Sequence, residues 1–249
     1  MKNNNHFKIV TPFYNVEKWI GVCIKSIKAQ KYKNFQCILI DDISKDGTSD
    51  VVKKEIEGDS RFVFVENKEK KLALKNIYDG IEMLNPKQED IIVTLDGDDW
   101  FASPDVLDIL SDTYNQKDCF LTYGSYAEFP SGRKGKFARQ VPESIIENSS
   151  YRTSQWMTSH LRTFKYKLWD KIEKEDLLDQ EGNFYKMTWD LAFMFPMLEM
   201  SAERSCYIDK ILYIYNQDNP LNDHKVDNRL QMKLEREIRS KKKYERLDK

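Results

Sequence analysis

The stretch Ile91-Ile92-Val93-Thr94-Leu95-Asp96-Gly97-Asp98-Asp99-Trp100 decides the organisation of this chain. Its opening apolar and β-branched residues predict a buried strand, which stops at three carboxylates placed within four residues. Because open α/β sheets bind ligands at the carboxyl ends of their strands, we expect these acids to line a crevice. Carboxylates this close repel one another unless a cation or a hydroxyl-rich ligand shares the site, and oxygen donors suit Mg²⁺ or Mn²⁺. A lone D-x-D is a short motif, so a merely polar strand end is the alternative.

The residues around this stretch alternate between strand and helix patterns. Residues 7–13, 36–40 and 61–65 predict three further strands, the first of them cut by Pro12. Helical spacing of apolar residues follows each of these strands, most clearly over residues 70–84. The alternation predicts right-handed βαβ units, and therefore an α/β protein whose mainly parallel central sheet is flanked by helices.

The second predicted strand also ends in acids, Asp41 and Asp42. Neither G-x-G-x-x-G nor G-x-x-x-x-G-K-[ST] occurs, so the sequence supports neither a dinucleotide-binding fold nor a P-loop. Carboxylates at two strand ends would instead accept hydrogen bonds from ribose hydroxyls and base N–H groups, or ligate a metal.

Composition excludes several classes of protein. The chain has 249 residues, which suits one large domain with at most a small appendage. Its 40 basic and 41 acidic residues nearly cancel, so no global charge points to nucleic acid. The sequence opens without an apolar signal segment and contains no apolar run of membrane-spanning length, so we expect a cytoplasmic protein without a transmembrane segment.

The cysteines form no C-x-x-C pair. We therefore expect reduced, packed thiols and no zinc site. The four residues concerned are Cys23, Cys37, Cys119 and Cys206.

Four short segments, in order, resemble family 2 glycosyltransferases with the GT-A fold. Residues 11–15 (TPFYN) and 26–32 (SIKAQKY) are similar to the P-x-Y-N and S-[IL]-x-x-Q-[ST]-x patterns of that family. Residues 40–48 (IDDISKDGT) are similar to D-D-x-S-x-D-G-T, and residues 95–99 (LDGDD) to its metal-binding D-x-D. The resemblance is strong over residues 7–110 and implies the GT-A fold and a nucleotide-sugar donor.

The resemblance also implies a role for each acid. Asp42 would hold the base or the ribose, Asp96 would hold the ribose side, and Asp98 would ligate the Mn²⁺ or Mg²⁺ that bridges the diphosphate. Gly97, between the last two acids, would lie at the donor. The base pocket would be lined by Thr11, Pro12 and Tyr14.

Residues 73–76 (ALKN) depart from the A-R-N that the family usually has. Lys71 or Lys75 could reach the phosphate or the base, and Lys71 is the one that we assign to the donor. A solvated helix face is the alternative for each lysine.

The second half of the chain supplies candidates for the acceptor side. Residues 124–150 are polar and poorly periodic, which is typical of a binding loop or a lid. His160, Arg162 and Lys165 could each serve a diphosphate or an acceptor, and a structural role is the alternative for each.

Trp189 and Asp190 come directly before an apolar helix pattern. Inverting members of the family have an acid at this point that deprotonates the acceptor hydroxyl, so the resemblance implies that Asp190 is the general base. The alternative is a helix cap, because the helix dipole favours an acid at a helix start. Trp189 would offer a stacking face for a sugar ring.

The last strand pattern, residues 211–215, leads into a polar loop that contains His224 and Lys225. Many metal-dependent GT-A enzymes supply a third ligand here, so the resemblance implies that His224 joins Asp98 and favours Mn²⁺. Lys225 would neutralise the leaving diphosphate. Residues 226–249 predict a charged helix whose narrow apolar stripe packs on the domain or on a second subunit, which would give a homodimer.

We therefore expect one GT-A domain over residues 1–225, with a nucleotide-binding half (1–110) and an acceptor-binding half (111–225), followed by the charged helix of residues 226–249. The resemblance implies a metal-dependent, inverting glycosyltransferase, with a UDP-hexose such as UDP-glucose or UDP-galactose as donor. A glycan, a polypeptide or a lipid-linked molecule would each suit as acceptor.

Two alternatives stay open. A nucleotidyltransferase or pyrophosphorylase also uses an α/β sheet with an acidic metal site, but it would want a glycine- and arginine-rich phosphate loop near the first strand. The segment at that place, residues 11–15, is not such a loop. The other alternative is a non-catalytic module that binds a nucleotide sugar.

Overall fold

The computed structural model describes residues 4–220 and 227–247 of the chain. Eight strands of this described part form one sheet. They are β1 (Phe7–Phe13), β2 (Phe35–Asp41), β3 (Phe62–Glu66), β4 (Ile91–Thr94), β5 (Trp100–Phe101), β6 (Leu121–Phe129), β7 (Thr163–Lys165) and β8 (Ser205–Asn216). Their order across the sheet is β3-β2-β1-β4-β7-β6-β8-β5.

Helices cover both faces of this sheet. Those of the described part are α1 (Glu17–Lys28), α2 (Thr48–Ile56), α3 (Leu72–Met83), α4 (Val106–Gln116), α5 (Glu143–Glu147), α6 (Tyr166–Trp169), α7 (Trp189–Ser201) and α8 (Asn228–Ser240). The predicted α/β architecture, a mainly parallel sheet flanked by helices, is confirmed.

The strands β3, β2, β1 and β4 are parallel, as the βαβ pattern predicts. The prediction that Pro12 cuts the first strand was wrong, because β1 continues to Phe13. β4 is paired with β1 only as far as Val10. Pro12 therefore lies past the last paired residue on that side, where its missing N–H costs no ladder hydrogen bond.

The short strand β7 joins the two halves of the sheet. It runs antiparallel both to β4 and to β6, and β6 is in turn parallel to β8. This arrangement places Thr163 level with Val93, near the carboxyl end of β4. Residues just before β7 are therefore carried to the acidic end of β4, although they are far away in sequence.

Successive residues of β1 point into two different hydrophobic layers, as the pleat of a strand requires. Val10 packs in one layer with Ile77 of α3, whereas Ile9 packs in the other layer with Ile24 of α1. All four side chains are fully buried. Burial on both faces explains why the central strands are continuous apolar runs instead of alternating ones.

The charged C-terminal helix packs on its own domain. Leu234 and Ile238 of α8 are buried in the same layer as α7. Of the two alternatives for this helix, packing on the domain is therefore the one observed. None of the described helices combines the length and the apolar character needed to cross a bilayer.

A buried ion pair fastens α8 to the domain. Arg152 donates from Nε and Nη2 to the two carboxylate oxygens of Glu199, at 2.7 and 3.0 Å. Its third nitrogen, Nη1, donates to the carbonyl of Ile238 at 2.8 Å, and the backbone N–H of Tyr244 donates to Glu199 at 3.0 Å. This bidentate pair ties a turn, α7 and the C-terminal segment together.

The expectation of four reduced thiols was wrong for Cys119 and Cys206, which form a disulfide with a Cα–Cα distance of 6.2 Å. The two are separated by 87 positions. The parallel pairing of β6 and β8, which sets Thr122 level with Cys206, brings them together. Cys23 and Cys37 are buried free thiols, as expected.

Candidate active site

A cavity of about 670 Å³ opens at the carboxyl ends of β1, β2 and β4, and the start of α7 closes its far side. It gathers seven of the residues that the sequence analysis assigned to the site. They are Pro12, Tyr14, Asp42, Asp96, Asp98, Trp189 and Asp190.

The acidic loop after β4 is pressed against the end of β1. The N–H of Gly97 donates to the carbonyl of Pro12 at 3.2 Å. A Cβ at Gly97 would lie 2.5 Å from the Cβ of Phe13, so a side chain at this position would displace the loop. Gly97 therefore serves the close approach of the two backbones, and its neighbours Asp96 and Asp98 line the cavity.

Asp98 is a half-buried carboxylate that faces the cavity. Burial raises its pKa, and a hydrogen bond from Asn219 Nδ2, 2.6 Å from Asp98 Oδ2, opposes that shift. Sequence reasoning missed Asn219, which lies in the polar loop where it sought a metal ligand. The one sequence feature that could have pointed to Asn219 is its place three residues after the end of β8.

Asp99 is turned inward and is only 1% exposed. Its carboxylate accepts hydrogen bonds from the hydroxyl of Tyr213 at 2.5 Å and from the backbone N–H of Asn216 at 2.7 Å. Burial, followed by the nearby charges of Asp98 and Asp96, raises its pKa well above the usual range. Asp99 thus fastens the end of β8 to the acidic loop.

Asp42 also lines the cavity, but its carboxylate is already surrounded by donors. Oδ1 accepts from Asn67 Nδ2 and from the N–H of Lys71, at 2.9 and 2.8 Å. Oδ2 accepts from the N–H of Leu72 at 2.9 Å and lies 3.4 Å from the ammonium of Lys70. Burial alone would raise the pKa of Asp42, but the hydrogen bonds outweigh it and the pKa is lowered. Four donors occupy the roughly four acceptor positions of a carboxylate.

The structure places Lys70, and not the predicted Lys71, in the cavity lining. The ammonium of Lys71 pairs with Asp79 at 2.9 Å, outside the cavity lining. Lys70 lines the cavity, and its Nζ lies 2.9 Å from the centroid of the Tyr14 ring. Leu72, which opens α3, has a φ of 66°, and this left-handed backbone turn follows directly after the two adjacent lysines.

Thr11 is fully buried within β1 and does not reach the cavity surface, unlike Pro12 and Tyr14. Thr11 therefore lies behind the cavity lining, and its contact with a base stays a prediction. Sequence reasoning missed further lining residues, among them three in the second half of the chain. These three are Lys186, Asp227 and Leu230.

Asp190 lies in the first turn of α7, one residue after the start of the helix. The cap position belongs to Thr188, so the alternative of Asp190 as the cap residue is not what the structure shows. Asp190 Oδ2 instead accepts a hydrogen bond from Arg162 Nη1 at 2.8 Å, and the guanidinium carbon lies 5.7 Å from the centroid of the Trp189 ring.

Arg162 also contacts His160, whose Nδ1 lies 3.1 Å from Arg162 Nη2. The imidazole stacks on the ring of Tyr213, with 4.3 Å between centroids and 15° between planes. Burial, and then the charge of Arg162, lowers the pKa of His160 well below its usual value. Both effects favour the neutral form of the imidazole. Lys165, in contrast, pairs with Glu89 away from the cavity.

His224 and Lys225 lie outside the described residues. In residues 4–220 and 227–247, no three His, Cys, Asp or Glu side chains are grouped so that they could hold a metal ion. The oxygen donors of Asp96 and Asp98 still fit a hard divalent cation. Burial raises the pKa of the Asp98 carboxyl, and a divalent cation beside it would favour the anionic form.

Solved structures share this architecture. S. aureus TarS 1-349 in complex with UDP-GlcNAc superimposes with a TM-score of 0.63 at 18% identity, over 85% of this chain and 58% of that one. The mannosyltransferase PcManGT from Pyrobaculum calidifontis, in complex with GDP-Man and Mn²⁺, gives 0.57 at 15% identity, over 88% and 58%. The fold is therefore that of GT-A glycosyltransferases, as predicted.

Two curated relatives are named as glycosyltransferases. Glycosyltransferase GlyA of Streptococcus pneumoniae is 24% identical over 214 residues, which are 83% of this chain and 30% of that protein. An uncharacterized glycosyltransferase of Haemophilus influenzae is 34% identical over 121 residues, 48% of this chain and 46% of that protein. The chain thus spans less than half the length of these two relatives.

The family model described as Glycosyl transferase family 2 matches residues 8–177. This range contains both strand-end acid pairs and the Arg162 segment, and it makes up well over half of the chain. The chain therefore belongs to glycosyl transferase family 2.

Proposed function

We propose that this chain transfers a sugar from a nucleotide-sugar donor to an acceptor hydroxyl. The observation that carries the proposal is the single cavity that brings Asp96 and Asp98, at the end of β4, together with Asp190, at the start of α7. The first two acids suit a donor diphosphate with its cation, and the third suits a base for the acceptor.

The nucleotide would bind on the β1 side of the cavity. Pro12 and the ring of Tyr14 offer an apolar surface for the base, and Asp96 would accept from the ribose hydroxyls. Lys70, which lies over Tyr14, would contact the base or a phosphate in place of Lys71. Asp42, whose acceptor positions are filled, would serve mainly by fixing the loop that carries Lys70.

Asp98 would hold a divalent cation, Mn²⁺ or Mg²⁺, and Asp96 would assist it. When bound, such a cation supplies positive charge opposite the diphosphate that leaves. His224 and Lys225 stay candidates for a further ligand and for a second positive charge at the diphosphate.

Asp190 would take the proton of the acceptor hydroxyl as that oxygen attacks the anomeric carbon, which gives an inverting transfer. Its side chain is 19% exposed and faces the cavity, so an acceptor can reach it. Trp189, which lines the same wall, would give a stacking surface for a sugar ring.

A UDP-hexose stays the proposed donor, and the two solved neighbours widen the set to be tested. Their structures contain UDP-GlcNAc and GDP-Man. The acceptor would be a glycan, a polypeptide or a lipid-linked molecule.

The test is release of nucleoside diphosphate from UDP-glucose, UDP-galactose, UDP-GlcNAc and GDP-mannose, with Mn²⁺ and with EDTA. Water replaces the unidentified acceptor in this assay. We expect release from one donor, loss of release with EDTA, and loss with Asp98→Ala. The exposed Asp50→Asn serves as the matched control and should keep full activity. Binding of a donor without release would indicate a non-catalytic module, and neither binding nor release of any donor would refute the proposal.

A further inference from the structure

We infer that Arg162 is a positioning residue for Asp190, and that His160 and Tyr213 connect this pair to the acidic loop after β4. The inference rests on the proposed function, because it assigns the geometry on which a base at Asp190 would depend. Arg162 lines the cavity, but it is buried, so the groups that hold its side chain lie inside the protein.

Arg162 is only 2% exposed. A buried guanidinium is costly unless its charge and its donors are satisfied. Nη1 donates to the Asp190 carboxylate and Nη2 lies against the His160 ring, whereas Nε has no hydrogen-bond partner among the described residues. The two ends of one rigid, planar fork thus fix a carboxylate and an imidazole relative to each other.

The backbone of Arg162 is anchored independently of α7. It directly precedes β7, whose Thr163 pairs both with Val93 of β4 and with Thr122 of β6. Its position is therefore set by the centre of the sheet. Asp190, in contrast, is carried by the first turn of a helix that packs on the sheet, so the ion pair defines where this carboxylate lies relative to β4.

Contacts continue from His160 to the acidic loop. The imidazole stacks on Tyr213, and the hydroxyl of Tyr213 donates to Asp99, the neighbour of Asp98. Two sides of the cavity, the proposed base and the proposed cation site, are therefore joined by an unbroken series of packed or hydrogen-bonded groups. Such a series would keep the separation of the two sides constant during turnover.

A lysine cannot replace this arrangement. Its ammonium is a compact charge that reaches one partner at a time, whereas the arginine fork contacts Asp190 and His160 together. We therefore expect Arg162→Lys to keep the charge and lose the orientation.

The experiment measures kcat and KM for donor turnover in the full chain. Arg162→Ala should lower kcat on the order of 100-fold, because a displacement of about 1 Å at the reacting groups has an effect of that size. The donor KM should change by less than about threefold, since Arg162 lies on the acceptor side. Added guanidinium chloride at low concentration should restore much of kcat by filling the space left by the side chain.

Two controls separate positioning from folding. Arg152→Lys makes the conservative change in a second buried arginine–carboxylate pair, remote from the cavity, and should leave kcat of the folded protein as in the wild type. In an Asp190→Asn background, Arg162→Ala should have little additional effect and guanidinium should not restore turnover, because the two residues act as one unit. Arg162→Lys takes the place of Arg162→Ala should the alanine variant not fold.

The outcomes are distinct. A reduced kcat with guanidinium rescue supports the inference. If the wild type is active and Arg162→Ala leaves kcat unchanged, the positioning role is wrong and the proposed function stands. The same conclusion follows if Arg162→Ala lowers kcat by the same factor in the wild type and in the Asp190→Asn background. A wild type without turnover of any donor overturns both.

Discussion

Two buried arginine–carboxylate pairs in this molecule have nearly the same shortest distance and different surroundings. In Arg152–Glu199 and in Arg162–Asp190 the arginine side chain is 3% exposed, and the shortest nitrogen–oxygen distances are 2.7 and 2.8 Å. The carboxylates differ, because the side chain of Glu199 is fully buried whereas that of Asp190 is 19% exposed.

The difference lies in how many donors each carboxylate already accepts. Glu199 accepts two hydrogen bonds from Arg152 and a third from Tyr244. Asp190, among the described residues, accepts one side-chain hydrogen bond, from Arg162. A carboxylate has about four acceptor positions, so Asp190 retains room for a substrate hydroxyl and Glu199 has little. Unfilled acceptor capacity beside a cavity, more than burial of the arginine, distinguishes a candidate base from a structural acid.

The largest expected effect is a loss of turnover on changing Asp190, the more exposed of the two carboxylates. Asp190→Asn removes the proton acceptor, so kcat for donor turnover should fall on the order of 10²–10⁴-fold. The free energy of unfolding should fall less than for a fully buried pair, because Asp190 is 19% exposed at the cavity and water there screens the charge left on Arg162. Steady-state kinetics and urea unfolding measure the two quantities. An Asp190→Asn variant with wild-type turnover would remove Asp190 from the mechanism.

Glu199→Gln is the matching change in the buried pair, and its effect should fall on stability. It leaves the charge of Arg152 uncompensated in the interior, which costs about 3–5 kcal/mol of unfolding free energy. Urea unfolding followed by circular dichroism measures this loss. At a temperature where the variant stays folded, its kcat should equal that of the wild type. A Glu199→Gln variant with wild-type stability and a low kcat would contradict the structural role that we assign to the Arg152–Glu199 pair.

Tyr213→Phe tests the contact between the two sides of the cavity with a smaller change. It deletes the hydroxyl that donates to the buried carboxylate of Asp99, and one missing donor to a buried acceptor costs about 1–3 kcal/mol of unfolding free energy. Tyr32→Phe, which deletes a hydroxyl bonded to the carbonyl of Asn5 near the surface, is the control. Equal destabilisation by the two changes would argue against a special role for Asp99.

The smallest expected effect concerns acid sensitivity at His160. Burial, and then the charge of Arg162, lowers the pKa of His160 below the ordinary 6.5. Between the lowered and the ordinary pKa, His160 is therefore protonated in the unfolded chain and neutral in the folded one. Stability is unaffected by this group above the ordinary pKa and falls as the pH drops through it towards the lowered value. The aromatic groups facing the ring are Tyr126, Tyr213 and Tyr215.

His160→Phe keeps a stacking ring and removes the titration. Urea unfolding near pH 7 and near pH 5.5 should therefore show a smaller loss of stability for this variant than for the wild type. Carboxylates elsewhere contribute equally to both proteins. An identical loss in the two would show that His160 does not resist protonation in the folded state.

Much of the proposed donor side could be predicted from the sequence, because it is built from residues close together in the chain. The apolar run into Asp96 and Asp98 predicts both the strand and the place where its acids emerge. Asp42 follows from the same rule at β2. Strand ends in a parallel sheet meet at one edge, so the chain order alone brings these acids together.

What the sequence could not supply depends on pairings between distant residues. The disulfide between Cys119 and Cys206 requires the β6–β8 register, and the contact of Arg162 with Asp190 requires β7 to enter beside β4. Lys70 lines the cavity and Lys71 does not, and the backbone turns directly after them at Leu72, which has a positive φ. Leucine rarely adopts this conformation, so the sequence does not predict the turn. Neighbouring residues of equal charge cannot be told apart by pattern.

The saturated carboxylate of Asp42 has a consequence for the entropy of binding. Its donors come from Asn67, at the end of β3, and from the segment of Lys70 to Leu72 that opens α3. The loop between these elements is therefore held by contacts within the protein, which a nucleotide bound as proposed would not have to supply. Loop ordering is a large part of what weakens association, so a preorganised loop leaves more of the contact energy to appear as affinity. Asp42→Ala would accordingly weaken nucleotide binding mainly through a less favourable entropy.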